Sequence, residues 1–504
     1  MPQKYLKKIL EARVYDVAIE TPLQDARFLS ERFDNKILIK REDLQSVFSF
    51  KLRGAYNKIS KLTRQQRERG IITASAGNHA QGVALTGKRL GICTIIVMPK
   101  TTPEIKVESV KAFGAKVVLH GDTYDDAALH SKKLAKEKGY QYIHPFDDPD
   151  VIAGQGTIGM EILRQHSGQI DAVFIPIGGG GLAAGVSAYI KNVRPEIKVI
   201  GVEAEDSACM KAAVEKGRRV VLKEIGIFAD GVAVAQAGKE TFRLVKTCVD
   251  EIITATTDEI CAAIKDIFDD TRSIAEPAGA LALAGLKKYV QENEIKGQTL
   301  VAIDSGANVN FDRLRHISER SEMGEKREGI FAVTIPERPG SFKTFCNAIG
   351  KRSITEFNYR YADQDEANIF VGVQLKNGDA ERLAIVEMLK KLKYPIVDLT
   401  DNEMAKVHIR HMVGGSSPNI KNEVVYCFVF PERPGALLQF LQKLGQRWNI
   451  SLFHYRNHGA AYGRAMVGLQ VPPKERKLAD EFLDELGYTY TKDRDNQAYK
   501  IFLT

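Results

Sequence analysis

Cysteine is scarce in this sequence: six residues in 504 (Cys93, Cys209, Cys248, Cys261, Cys346 and Cys427), with no C-x-x-C pair among them. A disulfide framework or a structural zinc site needs closer, patterned spacing, so reduced and mostly buried thiols in a cytoplasmic protein are expected. His79, His120 and His144 stand without ligand spacing, and no metal site is expected. Long apolar runs are missing as well. The most apolar windows, Ile92–Pro99 and Ala172–Ile177, fall far short of the ~20 residues that span a bilayer. The first residues, MPQKYLKKILEARVYDVAIETPL, lack an uninterrupted apolar stretch and read as an amphipathic helix, not a signal peptide. Neither export nor a membrane partner is expected. Finally, no basic run is interleaved with aromatics. The net charge of +8 comes from 72 basic against 64 acidic residues, intermixed along the chain. A modest positive excess on a large enzyme accounts for it, and no nucleic-acid partner is expected.

What is present is an ordinary soluble composition, 44% hydrophobic and 27% charged, over a length that implies two to four domains. From about Asp34 to Asp304 short β-branched runs alternate with longer helical stretches. Lys36–Lys40, Cys93–Met98, Lys116–Leu119, Ala172–Ile177, Lys198–Glu203 and Thr299–Asp304 read as strands. Thr102–Phe113, Tyr124–Lys138 and Thr257–Thr271 read as helices. Continuous apolar strands between helices predict an α/β domain whose parallel sheet is covered on both faces, with ligands beyond the carboxyl ends of the strands.

After Ser318 the texture changes. A polar stretch, Glu319–Arg327, reads as a linker. Beyond it IFAVTIPERPGSF, from Ile330, is echoed by VVYCFVFPERPGAL, from Val424, and the two PERPG elements begin at Pro336 and Pro431, 95 residues apart. FNYR (Phe357–Arg360) then matches FHYR (Phe453–Arg456), and IFVGVQL (Ile369–Leu375) matches AMVGLQV (Ala465–Val471). Ordered matches at near-equal spacing indicate a duplication. Each copy reads as a ferredoxin-like β-α-β-β-α-β unit. The expected organisation is a first domain over 1–318 (with a small subdomain at about 48–150), a linker at 319–328, repeats at 329–413 and 423–504, and a connector at 414–422.

Four segments of the first domain carry chemistry. In Ser49–Ala55 (SFKLRGA), Lys51 lies between Phe50 and Leu52, ahead of a helix expected to start near Gly54. Partial desolvation there lowers an ammonium pKa, and the neutral amine is the form that condenses with an aldehyde; standing alone, the residue would read instead as a surface lysine near a helix start. Thr73–Gly82 (TASAGNHAQG) places a small polar turn at a helix N-terminus, where backbone N–H groups suit a carboxylate, although a plain Gly-Asn cap fits too. Asn78 is positioned to bond a phenolic oxygen. Gly178–Leu182 follows a strand and opens a helix, which suits a phosphate. By itself Gly179-x-Gly181-x-x-Ala184, with Glu203 about 20 residues on, also satisfies the dinucleotide fingerprint. Ile303–Asn308 (IDSGAN) ends a strand, and Ser305 can offer a neutral hydroxyl to a pyridine nitrogen or simply terminate the strand.

In this order, SFKLRGA, SAGNHAQG, GGGGL and SGAN resemble the pyridoxal-phosphate enzymes of the tryptophan-synthase β fold, and among them the threonine and serine dehydratases. The likeness runs from about Leu6 to Ser318 and includes His144–Asp148 and Ala275–Gly279. A dehydrogenase has no use for the lysine segment. The paired C-terminal units are similar to the ACT-like regulatory domain of the biosynthetic threonine deaminases. The resemblance implies a two-subdomain α/β fold plus an α+β regulatory domain, and pyridoxal 5'-phosphate as cofactor. It puts the Schiff-base lysine at Lys51 with Phe50 beside the cofactor, and the partner of the ring oxygen at Asn78. The phosphate cup falls on Gly178, Gly179, Gly180, Gly181 and Leu182, and the pyridine-nitrogen partner on Ser305. The substrate carboxylate falls to Ser75, Gly77, Asn78 and His79. No motif departs from the family pattern.

The implied reaction is β-elimination of water from L-threonine, giving 2-oxobutanoate and ammonia on the way to isoleucine. Isoleucine as inhibitor, valine as antagonist and a homotetramer are implied with it. Gly340, Tyr359, Gly435 and Tyr455 are candidate effector residues, against core packing for both tyrosines. Glu276 is a candidate for contacting the substrate hydroxyl or the ring, against a structural salt bridge. A serine dehydratase or racemase of the same fold, acting on L-serine, is the rival enzyme; a non-catalytic amino-acid sensor is the rival of another class.

Overall fold

Short Ile-, Val- and Leu-rich runs bounded by turn residues form strands here because their side chains suit a pleated surface buried on both faces. The computed structural model describes residues 3–336, 341–350, 352, 354–359, 366–411, 422–431, 447–448, 450–456, 462–492 and 496–502. They divide into two units, one ending at Ser321 and the other beginning at Glu322.

In the first unit a six-stranded sheet runs in the order Leu23–Asp25, Lys36–Arg41, Thr299–Asp304, Ala172–Pro176, Lys198–Ala204, Glu251–Ala255. Every neighbouring pair is parallel except the antiparallel edge strand Leu23–Asp25. Alternate residues of the central strand enter opposite cores. Ala172 and Phe174 pack with residues of the helices Thr257–Thr271 and Pro277–Glu292, while Val173 and Ile175 pack with Pro149–Gln165 and Gly181–Val193. A second, all-parallel sheet orders Lys116–Leu119, Thr94–Met98, Ile71–Ala74, Gln141–Tyr142. It has its own core, built on Ile71, Ile96, Met98, Val83 and Val110. The expected α/β architecture is observed, in one all-parallel sheet and one that is parallel but for its edge strand.

Local boundaries differ from the sequence reading where turn chemistry decides them. The helix expected from Thr102 starts at Glu104, because Pro103 serves as its cap. The helix expected near Gly54 begins at Lys51 itself. The polar stretch at 319–327 is in its first part the end of a helix, Arg313–Gly324, supported by the Arg315–Glu319 pair one turn apart and by Arg320 on Asp258 at 2.5 Å. Of the described cysteines, Cys209, Cys248 and Cys261 are buried, Cys93 is exposed, and none is in a disulfide.

The second unit contains two four-stranded antiparallel sheets. The first orders Ile354–Tyr359, Glu366–Gln374, Glu328–Pro336, Ile396–Asp398; the second orders Ile450–Arg456, Tyr462–Gln470, Glu423–Pro431, Thr489–Lys492. The same strand order twice is the duplication inferred from PERPG. Residues from both copies share one core, in which Phe370 meets Phe502 with ring centroids 5.7 Å apart. Gly340 and Gly435 lie outside the described residues, as do the side chains of Tyr359 and Tyr455. Among the described residues no helix is long and apolar enough to cross a membrane, and no three His, Cys, Asp or Glu group as a metal site.

Candidate active site

Lys51 opens the helix Lys51–Ile59, and a backbone stitch carries it to a distant part of the chain. Ser49 bridges Gly306, Phe50 N–H donates to the Ser305 carbonyl at 3.3 Å, and Ala307 N–H donates to the Phe48 carbonyl at 2.9 Å. The amine at Nζ sits 3.4 Å from the Pro145 carbonyl and 5.2 Å from the centroid of the Phe50 ring. Burial pulls the Lys51 ammonium down to about 8, while Glu276 opposes the shift. A useful share of neutral amine therefore exists near neutrality.

The glycine loop follows the strand Ala172–Pro176 and opens the helix Gly181–Val193. Gly180 has φ of +92°, so its geometry favours glycine. A Cβ on Gly179 would stand 2.4 Å from the Phe146 ring, one on Gly178 2.9 Å from the Val232 backbone, and one on Gly181 3.0 Å from Phe146 Cβ. The loop is therefore wedged against protein on its outer side. Its carbonyls are engaged: Gly179 O accepts from Thr241 Oγ1 at 2.7 Å, and Gly180 O from Ala184 N–H at 2.8 Å. The first N–H groups of the helix have no earlier carbonyl within it to meet, and they are the natural donors to an anion. Leu182 is buried in the adjoining core.

Phe146 and Pro145 come from the His144–Asp148 segment. His144 Nδ1 accepts from the N–H groups of Phe146 (3.3 Å) and Asp147 (2.8 Å). The Asp147 carboxylate in turn accepts the first N–H groups of the helix Lys239–Cys248, at 2.8 Å from Lys239, 2.8 Å from Glu240 and 3.2 Å from Thr241. This segment connects the lysine to the glycine loop. The sequence reading assigned it no role.

Asn78 opens the helix Asn78–Leu90 behind Gly77, and the place where a Gly77 Cβ would stand is open. Asn78 Nδ2 donates to Glu276 Oε1 at 2.5 Å, and Asn78 Oδ1 accepts from Asn308 Nδ2 at 2.7 Å. Asn308 was not singled out, although it stands inside SGAN. His79 is buried, with Nε2 3.1 Å from the Ile143 carbonyl. Since that carbonyl only accepts, Nε2 carries the proton and Nδ1 is bare. Burial, with Lys51's charge, holds the ring down to about 3, so it stays neutral. A carboxylate at this turn would meet the backbone N–H of His79, not its ring. Ser75 Oγ accepts from Gly77 N–H at 3.3 Å.

Ser305 Oγ lies 3.2 Å from the Ala278 carbonyl, an acceptor, so a pyridine nitrogen would compete for the same proton. Beside it, burial and the charge of Asp43 push the Asp304 carboxyl well above the ordinary range.

Three buried polar atoms without a partner stand next to the site residues along the chain: Ser49 Oγ, His79 Nδ1 and Asp304 Oδ2. A buried polar atom left unpaired costs about 1–3 kcal/mol. A desolvated amine at Lys51, a helix start at Gly181 whose first N–H groups have no earlier carbonyl in the helix to meet, and an Asn78 amide with one N–H uncommitted fit a bound group that carries an aldehyde, a phosphate and a ring oxygen, as pyridoxal phosphate does.

Comparison with known proteins agrees with this geometry. Residues 14–306 match the pyridoxal-phosphate-dependent enzymes, and residues 319–409 and 414–503 match the C-terminal regulatory domain of threonine dehydratase. The chain is 56% identical over 503 residues to the biosynthetic L-threonine dehydratase of Burkholderia multivorans, covering 99% of each chain. It is 54% identical to that of Escherichia coli, over 99% of this chain and 97% of the other. The solved structure of the processed form of threonine deaminase isoform 2 from Solanum lycopersicum superimposes with a TM-score of 0.62 at 51% identity, covering 64% of this chain and 93% of that one.

Proposed function

The chain belongs to the pyridoxal-phosphate-dependent enzymes that carry the threonine dehydratase regulatory domain, and from that premise we propose that it deaminates L-threonine. The net reaction removes water across Cα and Cβ, and the released enamine tautomerises and takes up water to give 2-oxobutanoate and ammonia. Lys51 is the residue that carries the cofactor. Gly178, Gly179, Gly180, Gly181 and Leu182 hold its phosphate, Asn78 its ring oxygen and Ser305 its ring nitrogen, with Phe50 packed alongside. When bound, pyridoxal 5'-phosphate supplies an aldehyde for the substrate amine and a ring that absorbs the electron pair left when the Cα proton departs.

The chain's own groups do the rest. Lys51 Nζ, freed when the substrate amine takes its place, is the base that receives the Cα proton; burial lowers the pKa of its ammonium, which makes the neutral amine available. The open turn at Ser75, Gly77, Asn78 and His79 orients the substrate carboxylate through backbone N–H groups at a helix start. The hydroxyl of Ser305, unlike a carboxylate, does not hold a ring nitrogen protonated, which favours prompt elimination over a long-lived carbanion. The observation that carries this reading is the single stitched site: a desolvated Lys51 tied to Ser305 on one side and, through Pro145 and Phe146, to the glycine loop on the other.

In the same reading isoleucine inhibits and valine antagonises through the regulatory repeats, around Gly340, Tyr359, Gly435 and Tyr455. The protein works as a cytoplasmic homotetramer. The test is a set of assays on purified protein. It is expected to be yellow, to lose its visible band with a covalent label at Lys51 on borohydride treatment, and to make 2-oxobutanoate from threonine faster than pyruvate from serine, with isoleucine slowing the reaction. Lys51→Ala is expected to abolish turnover. A colourless protein with no adduct, or an active Lys51→Ala variant, would overturn the assignment.

A further inference from the structure

Glu276 precedes the helix Pro277–Glu292, makes no side-chain capping bond to it and is only 5% exposed, with its carboxylate set between two groups of neighbours. On one side is Asn78. A carboxamide has one carbonyl and two N–H bonds. Asn308 Nδ2 takes the carbonyl at 2.7 Å, Glu276 takes one N–H at 2.5 Å, and Asn308 is itself tied to the Val47 carbonyl at 2.8 Å. The plane of the Asn78 amide is thereby fixed, with one N–H left over. Two glycines permit the approach: a Cβ on Gly306 would stand 3.0 Å from Glu276 Oε1, and one on Gly231 3.4 Å from it and 3.9 Å from Asn78 Nδ2.

On the other side is charge. Asp230, next to Gly231, binds Lys106 Nζ at 2.8 Å and Arg313 Nη1 at 3.2 Å. Lys51 and Asp304 also feel the Glu276 carboxylate. Lys106 belongs to the helix Glu104–Lys111, which packs in the core of the smaller parallel sheet. Arg313 starts the helix Arg313–Gly324 and also binds the carbonyls of Ile227 and Phe228.

We propose that Glu276 is a positioning residue that holds the Asn78 amide for the cofactor's ring oxygen and gains or loses a proton two hydrogen bonds away from that oxygen, with the Asn78 amide between them. The proposal rests on the reading of Lys51 and Asn78 given above. Burial pushes the Glu276 carboxyl up to about 7 and Asp230 adds to the shift, while the Asn78 bond and the cations Lys106 and Arg313 oppose it. Near neutrality the group therefore changes charge, and its ionisation places a negative charge beside the ring oxygen through Asn78.

The test uses the full-length, cofactor-loaded protein, whose visible band is followed by pH titration across neutrality. The wild type is expected to show a transition with its midpoint near 7, the value to which burial moves Glu276. Glu276→Gln keeps an acceptor for Asn78 but cannot ionise. It is expected to lose the transition while still forming the borohydride-fixed adduct at Lys51. Asp230→Asn removes the anion that raises Glu276 and releases Lys106 and Arg313, so the midpoint should fall by about one unit. A structural role alone moves neither. A Glu276→Gln titration like the wild type, or an unmoved midpoint in Asp230→Asn, overturns the proposal. Absence of the band and of the adduct in the wild type would instead overturn the reading of Lys51 on which it rests.

Discussion

Gly180 sits at φ +92°, with the Met210 methyl 2.5 Å and Thr241 Cβ 3.0 Å from where a Cβ would stand. Alanine there combines left-handed backbone strain of about 1–2 kcal/mol with a clash at the wall of the loop. Relief of that clash displaces the N–H groups of the helix start. Gly180→Ala is therefore expected to weaken cofactor retention about tenfold or more, read as the dissociation constant when stripped protein is titrated with pyridoxal phosphate. An unchanged constant would remove the phosphate from this loop. The identity of such residues was legible in sequence because a turn that needs glycine announces it locally. His79 was legible only in part. Its place in SAGNHAQG pointed to the carboxylate turn, but the neutral ring facing Ile143 is set by a residue 64 positions away.

Among the elements, three are pinned by one buried ion cluster. Arg53 on the helix Lys51–Ile59 bonds Glu42 at 2.8 Å and Glu161 of the helix Pro149–Gln165 at 2.5 Å, and Lys40 on the strand Lys36–Arg41 bonds Glu161 at 2.6 Å. All four side chains are fully buried. Removing one partner strands the others, so Arg53→Ala is expected to destabilise the protein by about 3–5 kcal/mol, measured by denaturant unfolding of the first unit. A loss under 1 kcal/mol, on the order of an exposed pair, would show that the cluster does not hold these elements. Arg53 lies two residues from Lys51 inside a motif already singled out, yet nothing in the motif discloses Glu161, 108 positions on. The same holds for Asp147, whose three amide bonds clip the start of the helix Lys239–Cys248. In HPFDDP it reads as one acidic residue beside another.

For the whole molecule, among the described residues the cores of the first unit draw on residues up to Ile317 and those of the second on residues from Met323 onward. Each unit therefore buries its own apolar surface, the condition for folding alone. A chain ending at Arg327, which keeps the helix Arg313–Gly324, is expected to retain threonine turnover and lose its response to isoleucine, measured as the rate of 2-oxobutanoate formation with and without the effector. Retained inhibition would move the effector site into the first unit. The duplication behind the second unit was visible at this scale, because a 95-residue echo of PERPG, FxYR and a strand needs no tertiary knowledge to detect.

The sequence alone determined which chemistry is carried. Lysine between apolar neighbours, glycines after a strand and the repeated PERPG unit each express a backbone or solvation requirement that neighbouring residues set. Tertiary structure alone decided how those pieces are joined and tuned. Glu276 meets Asn78 across 198 residues, and Phe146 seals the glycine loop. Such contacts follow from the packing of two sheets whose strands come from distant parts of the chain. A carboxyl's acidity depends on what surrounds it in space, and no local pattern encodes that.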